Sequence, residues 1–127
     1  NNIKVLFNNN VCLEKFCIAG VDDMQTGNPD IKKAINNTKE PVILLSHTPD
    51  IIPDVPSSVN LTLAGHLHGG QIRLPQAIIV PSKFGKKFAN GYYEYKGKKI
   101  YTSYGLGTSI LPMRFNCLPE IAIIEFD

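Results

Sequence analysis

The residues of this chain best suited to chemistry gather in one short string, Gly65-His66-Leu67-His68-Gly69-Gly70-Gln71. Two of the three histidines stand there one residue apart, framed by glycines, and the third, His47, follows the run Val42-Ile43-Leu44-Leu45-Ser46. Neutral imidazole is the commonest side-chain ligand of transition metals, so His47, His66 and His68 are the candidate metal ligands. On extended backbone a His-x-His pair presents both rings to one face, because side chains alternate. On a tight glycine-framed turn the rings diverge and can serve two different ions, and the glycines admit positive φ and close approach to a metal or an anion. A lone histidine is more often an ordinary surface or core residue. All three here, however, lie just past runs that read as strands, where open α/β sheets place their chemistry.

Other residues join as candidates with two readings each. Asp22 and Asp23 follow the mostly apolar run 16–21; they either support metal ligands from behind or cap their own loop. Gly69, Gly70 and Gln71 frame the histidines, and backbone N–H groups there could touch phosphate. Arg73 and Arg114 are phosphate contacts or surface ion-pair partners. Asp50 reads as a cap or turn residue after Pro49. Lys83, Lys86 and Lys87 form a solvated loop face or attract an anionic substrate. Gly105-Leu106-Gly107 reads as a structural turn before a phosphate loop.

The elements that must hold these residues follow from apolar patterning. Short strands are expected over 3–7 and, after a turn at Asn8-Asn9-Asn10, from Val11 to Leu13. Further strands are expected over 16–21, 42–46 and 60–64, and a final one over 120–126. Asn28-Pro29-Asp30 resembles a helix start leading into 31–37. Strand, helix, strand in this order predicts a βαβ unit. Prolines 49, 53 and 56 allow no more than a short turn of helix there. Lys96-Gly97 between 91–95 and 98–102 predicts a hairpin. Its tyrosines (Tyr92, Tyr93, Tyr95, Tyr101), with Tyr104, read as cross-strand packing rather than a base-stacking platform.

The length of 127 residues suits one domain with a core of its own. A net charge of +2 gives no strong pull toward nucleic acid or anionic lipid. No apolar run approaches the ~20 residues of a membrane helix. Cys12, Cys17 and Cys117 are odd in number and lack a Cys-x-x-Cys spacing, which predicts buried free thiols and mildly favours a reducing compartment. The start at Asn1-Asn2 has neither Met nor a signal-peptide pattern, as expected of an internal cut.

The strings Leu44-Leu45-Ser46-His47-Thr48-Pro49-Asp50 and Leu61 through Pro75, with Gly65-His66-Leu67-His68-Gly69-Gly70-Gln71 at their centre, resemble the C-terminal half of a calcineurin-like metallophosphoesterase. They are most similar to the bacterial phosphodiesterase branch of the YkuE and YaeI type. Gly20-Val21-Asp22-Asp23, Gly105-Leu106-Gly107-Thr108, and Pro112-Met113-Arg114 through Pro119-Glu120-Ile121 share the likeness. The resemblance implies an α/β fold, the strand-rich C-terminal part of a four-layer α/β/β/α sandwich. It implies a dinuclear centre of Mn, Fe or Zn, with His47 and His66 on one ion and His68 on the other. A bridging hydroxide would attack a phosphoester substrate. It also implies a bacterial protein, cytoplasmic or associated with the inner membrane or envelope; the weak net charge and the lack of a basic-aromatic stripe, in turn, predict no specific nucleic-acid partner.

The family pattern further requires an Asp-x-His, a Gly-Asp and a Gly-Asn-His motif upstream of this segment, and the chain has none of them. The isolated chain is therefore expected to carry an incomplete site with one ion or none, to hydrolyse little, and to self-associate through exposed sheet surface. A competing reading is a non-catalytic module in which the three histidines hold a single ion.

Overall fold

In a computed structural model, which describes residues 3–74 and 77–125, the chain is a mixed α/β fold. Its strands are β1 (Asn9–Cys12), β2 (Cys17–Gly20), β3 (Val42–Ser46), β4 (Leu61–Ala64), β5 (Arg73–Leu74), β6 (Ala77–Ile78), β7 (Gly91–Tyr95) and β8 (Lys98–Thr102). The short helix α1 (Ile31–Ala34) links β2 to β3, and three 3-10 turns cover Pro49–Asp54, His68–Gly70 and Gly85–Phe88. Six strands form one sheet in the order β1-β2-β3-β4-β8-β7, while β5 and β6 form a separate ribbon. The inner strands β2, β3, β4 and β8 are parallel, and β1 and β7 close the edges antiparallel. This architecture is consistent with part of a metallophosphatase sandwich. Among the described residues no helix is long and apolar enough to cross a membrane.

Register decides what the sheet can position. Gly20 pairs with Leu45, Ser46 with Ala64, and Ala64 with Thr102. The chain segments that follow β2, β3, β4 and β8 therefore all leave from the same, carboxyl end of the sheet. Asp22-Asp23, His47, Gly65-His66 and Ser103-Tyr104 begin there.

One sheet face is the core side. Cys17, Ala19, Val42, Leu44, Ala64 and Ile100 point into a cluster completed by Ile51, Ile52, Val55 and Phe88. Each large aliphatic side chain fully buried there contributes roughly 1.5–3 kcal/mol. The prolines of the segment after His47 allow the 3-10 turn, and that turn lays Ile51 and Ile52 on the sheet. Phe88 meets Tyr93 and Tyr95 edge-on at centroid distances of 5.5 and 5.7 Å, so the hairpin tyrosines pack as expected. The opposite face is less covered. Ile18, Leu61 and Leu63 are only partly buried, and Leu45 is 37% exposed.

The predicted strands over 16–21, 42–46 and 60–64, the βαβ order and the hairpin are all present. Five expectations need correction. Residues 3–7 form no strand: the segment crosses Gly20, where a Cβ would stand 2.5 Å from that of Leu6. Asn9 and Asn10 belong to β1 rather than to a turn. Within the described part of 120–126, residues 120–125 are not extended into the sheet. Tyr101 and Ser103 hold the Glu120 carboxylate at 2.5 and 3.3 Å, and Ile124 then lines a cleft with Ile43, Leu61 and Tyr92. Finally, Cys12 and Cys17 are cross-strand register partners with Cα atoms 4.0 Å apart, and they form a disulfide. An odd count cannot reveal that a hairpin sets two cysteines opposite each other, so it gives no argument for a reducing compartment. Cys117 alone is free, and it is buried as expected. The helix also stops at Ala34, short of the predicted 37, and Asn37 has a φ of 59°.

Candidate functional site

The string that follows β4 does not stay extended. Backbone φ is 68° at His66, 48° at His68, 62° at Gly69, 87° at Gly70 and 50° at Gln71. Glycine takes such values freely, but for the two histidines and the glutamine they are uncommon and cost energy. The turn sends the two rings apart. His66 swings back to His47, with ring centroids 4.5 Å apart and planes tilted by 58°. His68 turns toward the 104–117 loop, with its Nδ1 3.5 Å from Arg114 Nη2 and its ring beside Gly107, while all three histidines border one groove. Among the described residues no three His, Cys, Asp or Glu side chains converge as a ready metal-binding group. Two imidazoles from adjacent strands fit as part of one ion's ligand set, and no described carboxylate completes it.

His66 is held below its ordinary pKa, first by burial and then by the neighbouring His47, which together favour the neutral ring with a free lone pair. The amide nitrogen of Gln25 lies 3.1 Å from His66 Nε2. An amide nitrogen only donates, so Nε2 is the acceptor in that contact. Gln25 was not legible as a site residue, because nothing in its sequence neighbourhood separates it from any loop glutamine.

The aspartates are loop caps. Asp22 Oδ1 accepts from the Asp23 amide at 2.7 Å and Oδ2 from the Asn28 amide at 2.7 Å. Asp23 Oδ1 accepts from the Gln25 and Thr26 amides and the Thr26 hydroxyl. Those Thr26 and Gln25 bonds hold its carboxyl below the usual carboxylate range. Asn8 fastens the same loop, accepting from the Asp22 and Asp30 amides at 3.0 and 2.9 Å. Asp50 is a turn residue as expected, buried within the 3-10 turn Pro49–Asp54, but its side chain is used elsewhere. It reaches across to accept from Ser82 Oγ at 2.5 Å and the Lys83 amide at 2.9 Å. Lys83, Lys86 and Lys87 are exposed, and Lys87 lies 4.8 Å over the Tyr95 ring.

The remaining candidates build the frame. Gln71 spends its amide on residues 109–111, donating to Ser109 and Leu111 carbonyls at 3.0 and 2.9 Å and accepting from the Ser109 amide at 2.6 Å. A Cβ on buried Gly69 would meet the Tyr104 ring at 2.1 Å and Cys117 Sγ at 2.9 Å. Arg73 donates to the Tyr104 hydroxyl at 2.9 Å and lines a separate pocket with Asn116 and Glu120, away from the groove that holds the histidines. Arg114 is the hub of its loop. It donates to the carbonyls of Gly107 (2.6 Å), Tyr104 (2.7 Å), Gly105 (3.1 Å), His68 (3.3 Å) and Cys117 (3.4 Å). Its guanidinium is committed to backbone, which leaves little of it for a phosphate.

Sequence comparison gives this geometry a context. The chain is 40% identical over 113 residues to the uncharacterized metallophosphoesterase YkuE of Bacillus subtilis, matching 86% of this chain and 40% of that protein. It is 36% identical over 134 residues to an uncharacterized metallophosphoesterase of Helicobacter pylori, covering 98% of this chain and 35% of the relative. It is 32% identical over 134 residues to the phosphodiesterase YaeI of Escherichia coli, covering 97% of this chain and 47% of the relative. No family model and no solved structure matches. The chain is thus a sequence relative of the YkuE- and YaeI-type metallophosphoesterases, and it spans less than half the length of these curated relatives.

Proposed function

We propose that this chain is the C-terminal part of a single metallophosphoesterase domain that hydrolyses phosphate mono- or diesters. The observation that carries the reading is the convergence of His47 and His66 from the ends of two adjacent parallel strands. In this reading those two rings are ligands to one ion and His68, turned away by the strained backbone, serves a second. The separation of His68 from the pair counts against a single ion held by all three imidazoles. Two ions, of Mn, Fe or Zn, would supply Lewis-acid charge to the phosphoryl oxygens and a hydroxide nucleophile.

The remaining ligands would come from sequence outside these 127 residues, since the longer relatives have room for them. The partly covered face carrying Ile18, Leu45, Leu61 and Leu63 supports the same view, because a sandwich buries both faces of such a sheet. In the isolated chain that face would drive self-association.

The test is hydrolysis of bis(p-nitrophenyl) phosphate by the full-length protein containing this chain, with and without Mn²⁺. The expected result is metal-dependent turnover that His66→Ala or His47→Ala abolishes, and little turnover by residues 1–127 alone. Full-rate hydrolysis by the 127-residue chain, or activity indifferent to both substitutions, would overturn the proposal.

A further inference from the structure

A groove of about 800 Å³ opens in front of His47, His66 and His68. One wall is the β5–β6 ribbon and the strand exit after it, presenting Leu74, Ile79 and Val80; the other is the loop 108–111, presenting Ile110 and Leu111. Among the described residues no Lys, Arg, Asp or Glu lines it. Apart from the histidines, its polar side chains are Gln71, Thr108 and Ser109, and the Gln71 amide is already consumed in holding the loop.

The walls are strongly apolar at their rims. Ile110 is 100% exposed, Ile79 86%, Leu74 55% and Leu111 50%. Contiguous exposed apolar surface beside a site marks a place where something binds. Ile110 also has a φ of 65°, which for a β-branched residue is an outlier that only surrounding structure sustains.

Both walls are fastened to the histidine string itself. Gln71 clamps residues 109–111 through three hydrogen bonds. Gly70 lets the ribbon close in, since a Cβ there would stand 2.4 Å from Ile78 Cγ2. The residues that aim the imidazoles therefore also set the width of the groove. A nucleotide or sugar on the departing or retained alcohol would need donors and acceptors along these walls, and the walls offer almost none.

We infer that the groove takes the apolar chain of an amphiphilic phosphoester and so places its phosphate against the histidines. This rests on the hydrolase reading for the fate of the phosphate, but the preference for a chain is a property of the groove and can be read by binding alone.

The test compares methylphosphonate with n-octylphosphonate, kept below its micelle concentration, binding to the full-length protein containing this chain. Octylphosphonate is expected to bind at least tenfold more tightly than methylphosphonate. In Ile79→Ser and Leu111→Ser the octyl-to-methyl ratio should fall below about threefold, while circular dichroism reports whether each variant remains folded. Equal affinities in the wild type, or a ratio unchanged in both folded variants, would overturn the inference and leave the groove to a protein segment. Vesicles of phosphatidylglycerol distinguish the source of the chain. Co-sedimentation weakened by the same substitutions assigns a bilayer lipid, and an octyl preference without co-sedimentation assigns a soluble amphiphile. A parallel assay on methyl and octyl p-nitrophenyl phosphates separates the two readings. An octyl binding preference with no metal-dependent hydrolysis of either ester would sink the hydrolase reading and spare this one.

Discussion

Replacing Arg114 distinguishes a scaffold from a phosphate contact. The guanidinium donates to five backbone carbonyls, of which those of Gly107, Tyr104 and Gly105 are met at 2.6, 2.7 and 3.1 Å. A hydrogen bond from a charged donor contributes about 1.5–3 kcal/mol when buried. Arg114 is only half-buried and water can take over some carbonyls, so Arg114→Ala should cost about 3 kcal/mol for the three short bonds together. That loss would fall on the 104–117 loop before the sheet, because loops open locally at lower free energy than the core. Native-state hydrogen exchange reads it directly. The Glu120 amide bonds to Gly105 O at 3.0 Å, and the Phe115 amide to Gln71 O at 3.0 Å. At 1.4 kcal/mol per factor of ten, both should exchange about a hundredfold faster, with the amides of β3 and β4 unchanged. Arg114→Lys keeps the charge but has a single nitrogen with three donors, which cannot span five carbonyls arrayed around a planar fork. It should recover less than half of the lost protection. Full rescue by lysine, or exchange in Arg114→Ala within threefold of wild type, would refute the scaffold assignment and favour charge alone.

Three further outcomes follow from the same contacts. Gly69→Ala should destabilise the fold by about 2–4 kcal/mol in urea unfolding, because the new Cβ meets the Tyr104 ring at 2.1 Å where φ is already 62°. Tyr101→Phe should cost about 0.5–1.5 kcal/mol at neutral pH by removing the hydroxyl donated to Glu120. That bond pushes the Tyr101 pKa up from 10.0 to about 12. A raised pKa stabilises the fold below the unfolded value, so the wild-type advantage should fade as pH rises from 10 to about 12, and an advantage constant across that window would contradict the assignment. Thr62→Val and Thr102→Val should each stabilise the fold by about 1 kcal/mol in thermal melts, because both hydroxyls are buried without a hydrogen-bond partner among the described residues.

The sheet was legible because its inner strands carry their own signals. Val42–Ser46 is continuously apolar up to its serine, and the Lys96-Gly97 turn between tyrosine-rich runs names its hairpin. The misread segments carried the same residue types without the same partners. Residues 3–7 and 120–125 alternate like strands, but one crosses the sheet at Gly20 and the other is drawn off by Tyr101 and Ser103, contacts between residues distant in sequence. The disulfide is hidden for a similar reason, since the register of β1 against β2 pairs Cys12 with Cys17 and no count of cysteines reveals register. Within the site, the histidines were visible by type and framing, and glycine framing raised the diverging turn as an alternative to the extended one. The use of Gln25, Asp50, Gln71 and Arg114 was not visible, because each acts on backbone or side chains 32 or more positions away, or in the case of Arg114 on carbonyls both near and far.

The histidine string cannot hold its own shape. His66, His68 and Gln71 each sit at positive φ, at a cost of about 1–2 kcal/mol apiece for residues with a Cβ, or roughly 3–6 kcal/mol in all. Within the string itself, the described backbone hydrogen bonds are short-range ones, such as Gly70 N–H to Leu67 O at 2.7 Å and Gln71 N–H to His68 O at 3.0 Å. What balances the strain lies in the 104–117 loop. Gln71 makes three bonds to it, Arg114 grips the His68 carbonyl, and the buried Cys117 thiol donates to that same carbonyl at 3.1 Å. At about 1 kcal/mol per neutral bond and somewhat more for the charged one, these contacts come to roughly the size of the strain. The orientation of His66 and His68 is therefore a property of two segments some forty residues apart acting together. A loop that loses its grip would let the string relax toward extended backbone, where both rings fall on one face and the pairing of His66 with His47 is lost. This coupling gives the Gly-x-Gly and Arg114 segments of the sequence a common physical purpose.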